Sequence, residues 1–232
     1  MANLIHYMLR VLFLLVALLA VGRGLAQEMT EWRFFTSLDG LRESWISSIT
    51  VSPDGKIWIN HGDVDEMSMY DGYRFHRFPS PSSSVRVIEN KAGQIWSIYT
   101  RDGGGFQQFL DGKWNRYPLE GIVNDGDPVS VKHRMPFQSL QKNRILFLLP
   151  DRLLEFDAAL NRIQTIQSAE QTALGRFIDM RLSFQDGIWI TGAHGVAKYQ
   201  DGVWTDILPP ARFSVGGFRN PIELSSQELF VV

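Results

Sequence analysis

Four histidines in the body of the chain, His61, His76, His133 and His194, are the residue type best suited to ligating a metal ion. No two of them stand at a ligand spacing such as H-x-x-x-H, so each reads as a strand or turn residue. The clusters Asp63-Val64-Asp65-Glu66 and Asn124-Asp125-Gly126-Asp127 carry carboxylate oxygens of the kind calcium takes. Neither completes a D-x-D-x-D-G loop, and turn chemistry accounts for both. Arg101-Asp102-Gly103-Gly104-Gly105 is glycine-rich but leads into no helix, which a phosphate loop requires. Ser80-Pro81-Ser82-Ser83-Ser84 reads as a loop between repeats, not a nucleophile elbow, because G-x-S-x-G is absent. Asp and Glu total 25, enough for a glycosidase-type carboxylate pair, but nothing singles a pair out. The sequence therefore predicts no catalytic residue, no metal site and no cofactor, and leaves the ligand-binding residues unspecified. Contacts at the mouth of any central channel would come from strand-connecting turns, such as Arg101, His61 or His194, of which Arg101 and His194 suit an anionic or sugar ligand.

The elements that must hold such turns are legible in the composition. The chain has 232 residues, a formal charge of −2, 44% hydrophobic and 12% aromatic residues, 20 Gly, 10 Pro and no Cys. A charge near zero supplies no basic face for nucleic acid. The lack of Cys rules out disulfides, thiolate metal sites and a Cys nucleophile. Gly, Trp and Phe together point to many short strands joined by turns.

Residues 1–26 read as a secretory signal. Arg10 is the positive flank, Val11 to Val21 the apolar core, and Gly24-Leu25-Ala26 a cleavage site before Gln27. The core is short for a membrane span of about 20 residues; an uncleaved anchor reaching back to Leu4 is the alternative. Export of a Cys-free chain fits a bacterial periplasm.

Repeats dominate the remainder, residues 27–232. Ile49 to Trp58, Val87 to Trp96 and Met180 to Trp189 align, each followed by a second segment: Met69 to Phe78, Phe109 to Tyr117 and Lys198 to Ile207. Trp58 and Trp96 are 38 residues apart, and Trp96 and Trp189 are 93 apart, which leaves room for a degenerate unit. That unit carries Ile145-Leu146-Phe147 where the others have Ile-Trp, with Phe147 taken as the residue on schedule. Each unit reads as four short strands, with Asp-Gly or Ala-Gly turns supplying positive φ. Four antiparallel strands every 40 to 45 residues make one propeller blade, as a rough period. The prediction is all-β: a β-propeller with blades at 46–78, 85–117, 129–166 and 176–207 and a partial fifth at 214–232. Strand alternation puts Trp58, Trp96 and Trp189 on one sheet face, filling the space between blades. Glu31 to Thr36 resembles a fourth strand.

The motif halves Asp54-Gly55-Lys56-Ile57-Trp58, Gly93-Gln94-Ile95-Trp96 and Asp186-Gly187-Ile188-Trp189 resemble the two-component-regulator propeller repeat. So do Tyr70-Asp71-Gly72, Asp111-Gly112, Tyr199-Gln200-Asp201-Gly202 and the glycine-rich turns at Asp102-Gly103-Gly104 and Gly192 to Val196. The third blade departs from the pattern. The resemblance implies the periplasmic sensor propeller of a hybrid histidine kinase or related receptor. It implies a small-molecule or oligosaccharide ligand, a homodimer and no catalysis. It also implies a membrane helix and a histidine kinase, diguanylate cyclase or phosphatase output domain beyond Val232. Phe230 falls on schedule for a further Ile-Trp strand, so the expectation is a part of a longer receptor. A free secreted binding propeller is the alternative reading, and a propeller hydrolase or lyase acting on polysaccharide the third.

Overall fold

A computed structural model describes residues 33–62, 64–81, 86–99, 104–119, 121–122, 135–184, 187–208, 217–225 and 228–231. The propeller lies within the compact unit Thr36–Val232. Blade 1 comprises β1 (Ile46–Val51), β2 (Ile57–His61), β3 (Glu66–Tyr70) and β4 (Phe75–Pro79). Blade 2 comprises β5 (Val87–Glu89), β6 (Ile95–Tyr99), β7 (Gly105–Leu110) and β8 (Lys113–Pro118). Blade 3 comprises β9 (Phe137–Gln141), β10 (Arg144–Leu148), β11 (Arg152–Asp157) and β12 (Arg162–Ser168). Blade 4 comprises β13 (Phe177–Leu182), β14 (Ile188–Gly192), β15 (Val196–Gln200) and β16 (Val203–Leu208). A two-stranded sheet follows, β17 (Ile222–Ser225) and β18 (Glu228–Phe230). Each four-stranded sheet is an antiparallel meander, and the four are arranged as propeller blades. The expected fold class is thus the observed one. Among the described residues the only helices are the short 3-10 turns Ser37–Asp39 and Ala169–Gln171, and none is long and apolar enough to cross a membrane. The expected signal, residues 1–26, lies outside the described residues.

First strands pack on first strands: β1 on β5, β5 on β9, β9 on β13. They line the centre, and the second and third strands bury the core. Trp96, Phe106, Phe137, Phe147, Phe156, Ile145 and Leu153 are all fully buried at the packed faces of blades 2 and 3. Of the segment expected as a fourth strand, residues 33–36 are described and carry no strand; a strand needs a ladder partner, and no described residue supplies one.

The turns follow the hairpin chemistry read from the sequence. Asp201 and Gly202 take φ of 51° and 82°, the doubly left-handed turn that matches strand twist. The divergent blade keeps this geometry with asparagine: Asn143 and Asn161 take φ of 61° and 47°, which asparagine tolerates better than other side chains. Asp157 Oδ1 accepts the Ala159 and Leu160 N–H groups, as Asp71 Oδ1 accepts those of Tyr73 and Arg74. The turn device therefore survives where the motif letters are lost.

Gly105 is fixed by close approach. A Cβ there would collide with the Tyr117 carbonyl oxygen and come within 2.8 Å of the Tyr99 ring. Gly105→Ala is expected to cost about 1–3 kcal/mol through overpacking, read as a lower urea midpoint at unchanged slope.

Candidate functional site

A second-strand tryptophan fills three of the interfaces, two of them with a glutamate partner on the first strand of the next sheet, and the site arises where leucine replaces it. Cross-strand register fixes the correspondence: Trp58 stands opposite Met69, Trp96 opposite Gln108, Trp189 opposite Lys198 and Leu146 opposite Glu155. Leu146, not Phe147, therefore occupies the tryptophan position of blade 3. Spacing alone assigns this place to the aromatic Phe147; the β10–β11 pairing puts Leu146, one residue earlier, there.

On each blade this residue points at the next blade. Trp58 Nε1 donates to Glu89 Oε2 of blade 2 at 2.7 Å, and Trp189 Nε1 donates to Glu223 Oε2 of β17 at 3.1 Å. Glu89 and Glu223 hold the same register place, opposite Ile95 and Leu229. The rings are backed by an aromatic of the fourth strand: Trp58 lies 5.1 Å from Phe78, and Trp96 5.7 Å from Tyr117. Blade 3 has Leu146 for the tryptophan, and its fourth strand, bulged at Ile166, carries no aromatic. At the register place of Glu89 and Glu223, blade 4 has Leu182, opposite Ile188.

A cavity of about 530 Å³ lies there. Its blade 3 wall is Arg144, Leu146 and Glu155, and its blade 4 wall is Leu182, Tyr199 and Asp201. Pro53 and Lys91, from the first turns of blades 1 and 2, reach its rim. The cavity thus opens on the end of the propeller where the first and third hairpin turns gather. Arg144 is held by two carboxylates, Nη1 to Glu155 Oε1 at 3.4 Å and Nε to Asp157 Oδ2 at 3.9 Å. Gln164 Nε2 donates to Glu155 Oε1 at 2.8 Å. A guanidinium has five N–H donors, so these contacts orient Arg144 and leave it further capacity. Burial pushes the Tyr199 phenol up, and the Glu155 and Asp201 carboxylates add to this. It remains protonated and a donor at neutral pH. Two cations, Lys91 and Arg144, offset two anions, Glu155 and Asp201.

The turn residues expected to meet ligand lie at the other end. His61 ends β2 and His194 sits in the β14–β15 turn, corresponding places in blades 1 and 4. Arg101 lies outside the described residues. His61 is fully buried, and its Nε2 lies 2.8 Å from Ser68 Oγ, itself fully buried. Burial holds the imidazole below its ordinary pKa, partly opposed by Glu43. This Ser–His pair has no face open to a substrate, and it closes the end of a sheet. His194 is exposed and its ring lies over Gly175. His76 Nε2 lies 2.6 Å from Asp71 Oδ2 and braces a turn. Glu66 pairs with Arg42, and Asp65 lends its carbonyl to the Ser80 N–H. Asp63, Asn124 to Asp127 and His133 lie outside the described residues. At the centre, burial lowers Arg86 to about 10, helped by the nearby Arg181 and opposed by Asp179, so it stays charged. Of the cavity residues, Tyr199 and Asp201 read in the sequence only as parts of the repeat motif, and Arg144, Leu146, Glu155 and Leu182 belong to no motif. The available signal was the converse: a repeat position where the motif fails.

Glu223 gives a pH prediction. Burial alone would raise its pKa, but bonds from the Phe184 N–H, the Trp189 indole and the Ser183 hydroxyl outweigh burial and hold it low. A lowered folded pKa adds stability above the ordinary carboxyl range and loses it as pH falls through the folded value. Urea midpoints of the parent chain should therefore fall more steeply below about pH 4 than those of Glu223→Gln. Parallel curves would refute the assignment.

No family model matches the sequence, and no curated protein matches it. Solved propellers do. Virginiamycin B lyase from Staphylococcus aureus is similar at 16% identity over 81% of this chain and 63% of that one, with a TM-score of 0.55. The extracellular domain of a hybrid two-component system from B. thetaiotaomicron is similar at 10% identity, over 88% of this chain and 27% of that one, with a TM-score of 0.51. A gluconolactonase from Xanthomonas campestris is similar at 14% identity, over 82% and 69%, with a TM-score of 0.52. The chain spans less than two thirds of the lyase. At these identities the likeness is one of fold.

Proposed function

We propose that this chain is the extracytoplasmic ligand-sensing part of a bacterial signalling receptor, binding a small molecule or oligosaccharide without transforming it. The observation that carries the reading is the charge-balanced cleft between blades 3 and 4. It has the size of small-molecule sites, about 300–1,000 Å³, and converging amide, phenol and ion-pair groups. The repeat resemblance and the secretory leader support the setting. So does the fold shared with the extracellular domain of a hybrid two-component system. Ligand would favour one packing of a propeller dimer, and membrane helices beyond Val232 would carry that bias to an output domain.

The test is to titrate the full chain with neutral oligosaccharides by calorimetry and then recover the sugars by chromatography. Binding with every sugar returned intact is the expected result. Conversion of a sugar by the chain would overturn the non-catalytic reading and move the chain towards the lyase and lactonase group of propellers. Sequencing the coding DNA past the Val232 codon tests the receptor setting: the expectation is further blades, an apolar span and an output domain.

A further inference from the structure

We propose that the gap between blades 3 and 4 is a subsite for a single neutral sugar ring, opened by the joint replacement of a tryptophan–glutamate staple with Leu146 and Leu182; this rests on the ligand-sensing reading above. Three features of the structure carry it.

Both halves of the staple are absent at this interface, whereas Trp96 keeps its ring at the blade 2–3 interface without a glutamate partner. Where Trp58 or Trp189 points forward, the next blade presents Glu89 or Glu223. Where Leu146 points forward, the next blade presents Leu182. A lone Trp-to-Leu change would have left a glutamate facing an aliphatic side chain, its carboxylate desolvated without a donor. That cost is avoided here, so the interface is consistently built as an open aliphatic pair.

The gap is also kept open. The fourth strand of blade 3 carries no aromatic, so neither a tryptophan nor a backing ring fills this face. Well-packed interiors leave few voids larger than a water molecule, yet Leu182 remains 42% exposed at this cavity.

The lining sets the ligand chemistry. Leu146 and Leu182 offer an aliphatic floor to the C–H face of a ring. The Arg144–Glu155 pair, the Tyr199 hydroxyl and Asp201 surround it with donors and acceptors suited to vicinal hydroxyls. Lys91 and Arg144 offset Glu155 and Asp201, so the lining has no net charge to draw in a phosphate or uronate over a neutral ring. A wholly apolar ligand would cover these polar groups without giving them partners.

The experiment restores the staple. The full chain and its Leu146→Trp/Leu182→Glu variant are titrated with neutral di- and trisaccharides of glucose, galactose, mannose and xylose, and with a glucuronate-containing disaccharide. The parent should bind at least one neutral sugar and not prefer the uronate. The double variant should unfold at an equal or higher urea midpoint and bind that sugar at least tenfold more weakly. Tyr199→Phe, which removes one hydroxyl and keeps the ring, should weaken binding about fivefold and guards against a double variant that does not fold. A parent that binds a neutral sugar, with the double variant or Tyr199→Phe binding it equally well, overturns the subsite and leaves the sensing reading standing. A parent that binds none of the neutral sugars overturns the subsite and leaves the sensing reading to its own test. Preference for the uronate overturns the neutral-ring assignment alone.

Discussion

Trp96→Ala is expected to lower the free energy of unfolding by about 3–5 kcal/mol, the largest single-residue effect in the chain. Trp96 is fully buried between blades 2 and 3 and stacks on Tyr117, which in turn meets Phe156 edge-on at 5.5 Å. Phe106 links the same layer to Phe147 at 5.2 Å and Phe137 at 5.7 Å. Removing the indole leaves a void that rings anchored in two separate sheets cannot close. A domain of this kind holds about 5–15 kcal/mol in total, so the variant should be close to the edge of folding. Urea unfolding followed by circular dichroism gives the number, and a loss below about 1 kcal/mol would mean that the blades collapse onto each other. Trp96→Phe separates area from hydrogen bonding. The Trp96 indole N–H has no hydrogen-bond partner among the described residues, so phenylalanine there strands no acceptor. Its cost should be one of area alone.

Glu89→Ala should be the most damaging change of a charged residue, at about 2–3 kcal/mol. The carboxylate is 8% exposed and accepts from Trp58 Nε1 at 2.7 Å and from Lys56 Nζ at 3.2 Å. Alanine strands a buried indole donor. The lysine arm is partly solvated and screened, so it adds little. Lys56 also holds Asp54, whose pKa is brought down to about 2 chiefly by that contact and by the Ser52 hydroxyl. Glu89→Gln keeps an acceptor oxygen for the indole and should recover most of the loss. A double-mutant cycle with Trp58→Phe should give a coupling of about 1–2 kcal/mol. Additive single effects would show that the contact does not staple the blades.

The two positions differ in how far the sequence foretold them. The tryptophans were legible because three of the four repeats carry one after the same Ile at the same strand position. Alternation along the Ile-Trp strand then assigned their face. The glutamates were not legible: Glu89 and Glu223 lie more than 30 residues from their tryptophans, in first strands with no shared motif. The Ser–His contact of His61 and Ser68 shows the reverse case. Residue types suited to chemistry lie within hydrogen-bond reach, but burial removes any use for them at a surface.

What the sequence determined by itself was whatever local rules repeat. Two-residue alternation set the strands, left-handed Asp-Gly and Asn turns set the hairpins, and the period of the aromatics set four blades and the start of a fifth. What only the tertiary structure decided was register and adjacency. The β10–β11 pairing put Leu146, opposite Glu155, in the tryptophan place. Packing of β10 against β13 then set it across from Leu182, 36 residues away. Spacing along a chain fixes which residues share a strand. Which faces meet across a blade interface depends on pairing offsets and on long-range burial, and the cleft exists only at that level.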